Sequence, residues 1–187
     1  DRLFCPSVET NKSTGEVKVA QCGLRRIEGS LLKEYNHADI FIAHPELLDK
    51  CIGSQTKVVG INVMDPLGMA PVTTTMSPEK LSYVAMKFKK MCASIIQLKK
   101  KYNFKVVVGG NGAWELAKPD RMKIHGIDTV VIGEADELAL DLFHDLEAGD
   151  APELLHTFVR NIENIPVIRG PTINSLIEAM RGCGRGC

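Results

Sequence analysis

The chain has 187 residues, enough for one domain and a further segment, and its 44% apolar and 25% charged side chains are the composition of a protein that buries a core. Its 23 basic and 23 acidic side chains cancel and aromatics make up only 5%, which argues against a surface built for nucleic acid or for an anionic membrane. No apolar run reaches about 18 residues and no signal-peptide pattern opens the sequence, so a cytoplasmic protein without a membrane segment is expected.

Residues 1–24 read as an irregular leader, with a polar turn at Asn11–Gly15 and a short apolar alternation at Val17–Ala20. A helix follows from Gly23, with Leu24, Ile27, Leu31 and Leu32 on one face and Gly29 weakening it by about 1 kcal/mol relative to Ala. Residues 1–37 are therefore expected to pack on the edge of the main domain. Ala38–Ala43 reads as the first sheet strand, ended by His44-Pro45, and Glu46–Ile52 as a short helix closed by Gly53.

Lys57–Met64 is short, apolar and β-branched, a buried strand that stops at the turn Asp65-Pro66-Leu67-Gly68. A loop of small residues, Met69–Met76, includes Thr73, Thr74 and Thr75. Ser77-Pro78-Glu79 then has the signature of a helix start, with Ser as N-cap and Pro in the first turn. That helix is expected to run to about Lys101, burying Leu81, Val84, Ala85, Phe88, Cys92, Ile95 and Ile96 and leaving its lysines in solvent.

Phe104–Val108 is the next strand and ends in Gly109-Gly110-Asn111-Gly112. A helical turn at Trp114–Ala117 is interrupted by Pro119. Ile127–Ile132 is a further strand ending in Gly133-Glu134, Ala135–Leu146 an amphipathic helix, and Leu154–Val159 a fifth strand or edge. Asn161–Pro171, with Pro166 and Pro171, reads as a linker. Strands alternating with helices, and apolar along their whole length, define an α/β fold: a three-layer parallel sheet with helices on both faces, spanning 38–160. The loops Met64–Met76, Gly109–Trp114 and Gly133–Asp136 then share one edge, where such sheets bind ligands.

No GxGxxG or Walker sequence is present, so an ordinary dinucleotide or P-loop site is poorly supported. Taken singly, Gly109-Gly110 is a tight turn or a ligand contact, Glu134 a helix-end acid or a contact, and Asp65 a turn initiator or a contact. His37, His44, His125, His144 and His156 show no metal-type spacing. Cys5, Cys22, Cys51 and Cys92 are scattered and read as small apolar side chains. Cys183 and Cys187 form a glycine-flanked Cys-x-x-x-Cys, open to chance, a zinc half-site or a redox pair.

As a set, VVGINVMDPLGMAPVTTTM, VVVGGNGAWEL and GIDTVVIGEADE resemble the cobalamin (B12)-binding domain of radical S-adenosylmethionine (SAM) enzymes, over roughly residues 38–148. The resemblance implies a Rossmann-like, flavodoxin-like, B12-binding-type sheet. It further implies that Asp65, Gly68, Thr73, Thr74, Thr75, Gly109, Gly110, Gly133 and Glu134 line a corrin or substrate edge. The Asp-x-His-x-x-Gly cobalt motif is absent, so cobalamin would be held without a histidine from this chain.

Arg181-Gly182-Cys183-Gly184-Arg185-Gly186-Cys187 resembles the start of the radical SAM Cys-x-x-x-Cys-x-x-Cys motif. That resemblance implies that Cys183 and Cys187 ligate a [4Fe–4S] cluster which binds S-adenosylmethionine, with residues 161–187 a linker into a catalytic barrel and the third ligand three residues beyond Cys187. With two ligands only, these 187 residues are expected to have no radical activity alone. The expectation is thus an accessory domain whose partners are its own barrel, a cofactor and a substrate, with no nucleic acid or membrane. The alternatives are a cofactor-free cap or substrate platform and a free-standing flavodoxin-like nucleotide-binding module.

Overall fold

A computed structural model describes residues 8–77 and 82–178. Four strands form one sheet in the order β1-β2-β3-β4: β1 (Val58–Asn62), β2 (Lys105–Gly109), β3 (Thr129–Gly133) and β4 (Leu154–Thr157). Every neighbouring pair is parallel, with Val59 opposite Val106, Val108 opposite Val130 and Val131 opposite Leu155. The helices are α1 (Cys22–Leu31), α2 (Leu48–Cys51), α3 (Pro71–Met76), α4 (Tyr83–Lys99), α5 (Pro119–His125) and α6 (Ala139–Ala148). Among the described residues no helix is long and apolar enough to cross a membrane.

Side-chain alternation along the strands divides the core in two. Val106, Val108 and Val130 face one layer, where Phe88, Cys92, Ile95 and Leu98 of α4 meet Met122 of α5. Val107 and Val131 face the other, against Leu142 and Leu146 of α6. On that side α1 lies against α6, and Tyr35, just beyond α1, donates a hydrogen bond to Glu147 at 2.7 Å. The fold is a Rossmann-like, flavodoxin-like α/β sandwich, and its four parallel strands present their C-terminal ends along one edge.

Several local expectations are corrected. Ala38–Ala43 is not a sheet strand: only Ala43 makes a β-bridge, to Glu16. The Ile42 carbonyl accepts from Val17 N–H at 2.9 Å and His44 N–H donates to the Gly15 carbonyl at 2.8 Å. The segment is thus paired to the N-terminal turn rather than to β1.

The stretch Met69–Met76 is not all loop. Pro71 occupies the first turn of α3, and the Thr74 and Thr75 hydroxyls bond back to the Pro71 carbonyl at 3.0 and 2.8 Å. Ser77 is the C-cap of that helix rather than the N-cap of the next, a role Ser82 fills by accepting from Ala85 N–H at 3.1 Å. Pro78, Glu79 and Leu81 lie outside the described residues. Val84, expected in the core, is exposed. Pro119 starts a helix instead of interrupting one, and that helix ends at left-handed Gly126.

The face of α1 is also less apolar than its periodicity suggests, because it buries Arg25, Gly29 and Ser30 along with Leu31. Arg25 pairs with Glu28 at 2.8 Å and donates to the Lys18 and Pro171 carbonyls at 2.6 and 3.2 Å. Pro171 is thereby tied to α1, and Ala20, just before that helix, forms a parallel bridge with Thr172.

Candidate functional site

The C-terminal strand edge is built from the loops after β1, β2 and β3. The first two are joined by main-chain bonds, from Val63 N–H to the Gly109 carbonyl at 2.8 Å and from Gly112 N–H to the Val63 carbonyl at 3.1 Å. Two glycines permit this approach. Gly110 has φ +100° and lies against Asn62 and the Val63 carbonyl. Gly112 lies under Met64 and Pro66, and a Cβ there would overlap the Met64 carbonyl and come within 2.6 Å of Pro66 Cδ.

A carboxylate pair locks the join. Asp65 accepts from Ala70 N–H at 3.0 Å and from the Thr73 hydroxyl, while Glu115 accepts at Oε2 from Leu67 N–H at 2.7 Å. Asp65 is 8% exposed and Glu115 is fully buried, and the two carboxyls lie close enough to shift each other's protonation. Two carboxylates in contact need a proton between them. Glu115 Oε1 is buried and has no hydrogen-bond partner among the described residues, so a protonated Glu115 keeps a second bare charge out of the interior.

The electrostatics follow. Burial, then contact with Asp65, pushes Glu115 up to about 7, while the Leu67 amide pulls the other way. Burial also raises Asp65, but the hydrogen bonds from Thr73, Ala70 and Glu115 outweigh it and hold this carboxyl below its ordinary value. Arg121 Nη1 donates to the Glu115 main-chain carbonyl at 2.5 Å and touches Met69 Sδ at 3.4 Å.

The structure therefore brings Asp65 and Thr73 together, with Gly68 (φ +71°) closing the turn between them. Thr74 and Thr75 are exposed on α3. Gly109 and Gly110 form the floor beneath the β1 loop. Gly133 and Glu134 serve β4 instead: Gly133 (φ +107°) abuts the Thr157 carbonyl, and Glu134 accepts from Val159 N–H at 3.2 Å. Cys183 and Cys187 lie outside the described residues. Glu115 is the site residue that sequence reasoning missed. The signal was present, a lone acid in the otherwise apolar Ala113-Trp114-Glu115-Leu116.

A corrin with a nucleotide tail needs a slot beside the strand ends. Between the β1 and β2 loops Gly110 and Gly112 are packed tightly against Asn62, Met64 and Pro66, and Thr73 is bonded to Asp65. The described residues do not fit cobalamin in this arrangement. Nor does any group of three or more His, Cys, Asp or Glu among them gather as a metal site. What the edge does offer is apolar surface, since Met64, Val72, Met76 and Trp114 are all exposed around the joined loops.

A cavity of about 460 Å³ opens at the opposite end of the strands, beside Lys105, Thr129 and Glu153. Two of its polar side chains, Asp128 and Thr129, are engaged in holding the fold. Asp128 accepts from Val106 N–H at 2.7 Å and from Lys99 at 2.5 Å, and Thr129 donates to the Pro152 carbonyl at 2.9 Å. With those groups committed, and at the amino ends of the strands, it is the weaker candidate. No family model matches the chain, and no curated protein or solved structure matches it significantly.

Proposed function

We propose that this chain is an accessory α/β domain of a radical SAM enzyme, and that its strand-end face is a cofactor-free platform set against the catalytic barrel. The observation that carries the platform reading is the closed join of the first two loops, with Gly112 packed under Met64 and Pro66 and an exposed apolar rim of Met64, Val72, Met76 and Trp114. A surface of that kind suits a protein or an apolar substrate better than a phosphate-bearing ring. The enzyme class rests on Arg181–Cys187, in which Cys183 and Cys187 supply two of three cluster thiolates. Such a cluster, when bound, supplies the electron that cleaves S-adenosylmethionine.

Arg26 supports the same polarity of the chain. It reaches Glu178 at 2.9 Å and Asp136 at 3.5 Å, so the segment that leads to the cysteines leaves from beside the loop after β3. The test is to read the codons beyond Cys187, express the extended chain and reconstitute it anaerobically with iron and sulfide. A cysteine three residues on and an absorbance typical of a [4Fe–4S] cluster are expected. Absence of both would overturn the assignment.

A further inference from the structure

We propose that Asp65 and Glu115 form a proton-operated latch that clamps the loop after β1 onto the loop after β2, and that loss of the shared proton frees the 65–76 segment from the strand-end face. The geometry carries this independently of the enzyme class. Each acid holds a different part of the first loop: Glu115 grips Leu67 N–H at 2.7 Å, and Asp65 grips Ala70 N–H at 3.0 Å and the Thr73 hydroxyl. Glu115 is fully buried, its Oε1 has no hydrogen-bond partner among the described residues, and Asp65 is close enough to shift its protonation. With one proton the contact is an acid–carboxylate hydrogen bond. Without it, two negative charges lie side by side out of water.

The groups packed around the pair do not rescue that state. From α5, Arg121 spends Nη1 on the Glu115 main-chain carbonyl and the Met69 sulfur. Among the described residues, α3 bonds the pair through the Thr73 hydroxyl and the β1 loop through the Leu67 and Ala70 amides. His125 is turned to the Arg121 carbonyl at 2.7 Å and stacks near Phe88. What opening would uncover is the slot over Gly110 and Gly112, which Met64 and Pro66 now fill.

The pH window follows from linkage. A carboxyl held protonated when closed and free to ionise when open makes opening more favourable as pH rises, by about tenfold per unit between the two pKa values. Burial raises Glu115 to about 7 in the closed form, against 4.5 ordinarily, so the increase runs from about pH 5 to about 7 and then flattens.

Hydrogen exchange of peptides covering 64–76 in the 187-residue protein, corrected for the intrinsic pH dependence of exchange, reads the latch. Protection is expected to fall about tenfold per unit from pH 5 to 7 and to level off above. Peptides from β2 and β3 stay flat over the same range. Glu115→Gln keeps a hydrogen-bond donor toward Asp65 and should remove the slope. Should that variant fail to fold, Asp65→Asn serves, because losing the neighbouring charge moves the end of the slope to lower pH.

A flat profile in the wild type, a slope that persists in Glu115→Gln, a slope in Asp65→Asn that ends at the wild-type pH, or the same slope in β2 and β3 would overturn the latch. A slope abolished by millimolar magnesium or calcium would place a cation rather than a proton between the acids, and would also overturn it.

Discussion

Replacing Gly112 by alanine tests the closed join most simply. Gly112 has φ −94° and ψ 3°, a conformation alanine accepts, so backbone strain contributes nothing. The whole cost is steric: the new methyl group meets the Met64 carbonyl and Pro66 Cδ, the latter at 2.6 Å. Backbone and a proline ring cannot swing aside as a flexible side chain does. The cost therefore belongs at the upper end of the overpacking range, about 3 kcal/mol. In urea, with a slope of about 2 kcal/mol/M, the midpoint falls by roughly 1.5 M.

Two controls separate the terms. Gly53 has no atom within 4 Å of an added Cβ, so Gly53→Ala costs about nothing. Gly149 is equally open but sits at φ +88°, so Gly149→Ala costs about 1 kcal/mol of strain alone. If Gly112→Ala unfolds at the same urea concentration as Gly53→Ala, the β1 loop is not seated on the β2 loop and the platform reading fails.

Glu115→Gln should raise stability at pH 8. The closed-state carboxyl has a raised pKa, so its ionisation subtracts stability progressively above about 4.5 and fully above about 7; a rise from 4.5 to about 7 corresponds to about 3 kcal/mol. Thermal melts at pH 8 and pH 5 check this: a gain of several degrees is expected at pH 8 and little at pH 5, and equal effects at both would contradict it. Ser82→Ala should cost about 1 kcal/mol in denaturant unfolding because Ser82 caps α4, whereas Ser77→Ala should cost a few tenths at most. The reverse ranking would restore the helix start read from the sequence. Arg25→Ala should cost about 3 kcal/mol in the same assay, since it strands a part-buried Glu28 and releases the Lys18 and Pro171 carbonyls.

The sheet was legible because its signal is local: β-branched runs such as Val106-Val107-Val108 and Val130-Val131 can bury both faces only inside a parallel sheet. The misread strand at Ala38–Ala43 shows the limit. Its apolar run is strand-like, but where its backbone groups pair depends on a turn some 25 residues earlier, and composition carries no record of that. Likewise Ser77-Pro78 and Ser82 both resemble caps, and only the geometry of the short helix before them decides between the two.

At the site, Asp65 and Thr73 were legible as a turn acid and a hydroxyl cluster. Glu115, which acts on Asp65, is 50 residues from it, and no periodicity links them. Gly110 and Gly133, read as contacts for a ligand, lie against the protein's own backbone, because the freedom that lets a cofactor approach also lets a loop do so.

The central claim is that the strand-end face is closed to corrin, and one measurement addresses it directly. The purified 187-residue protein is mixed with excess hydroxocobalamin at pH 6, desalted, and its visible spectrum recorded. The account predicts no corrin absorbance in the protein fraction. Stoichiometric absorbance retained after desalting would contradict it and return the Met64–Met76 loop to the role of a cofactor mouth.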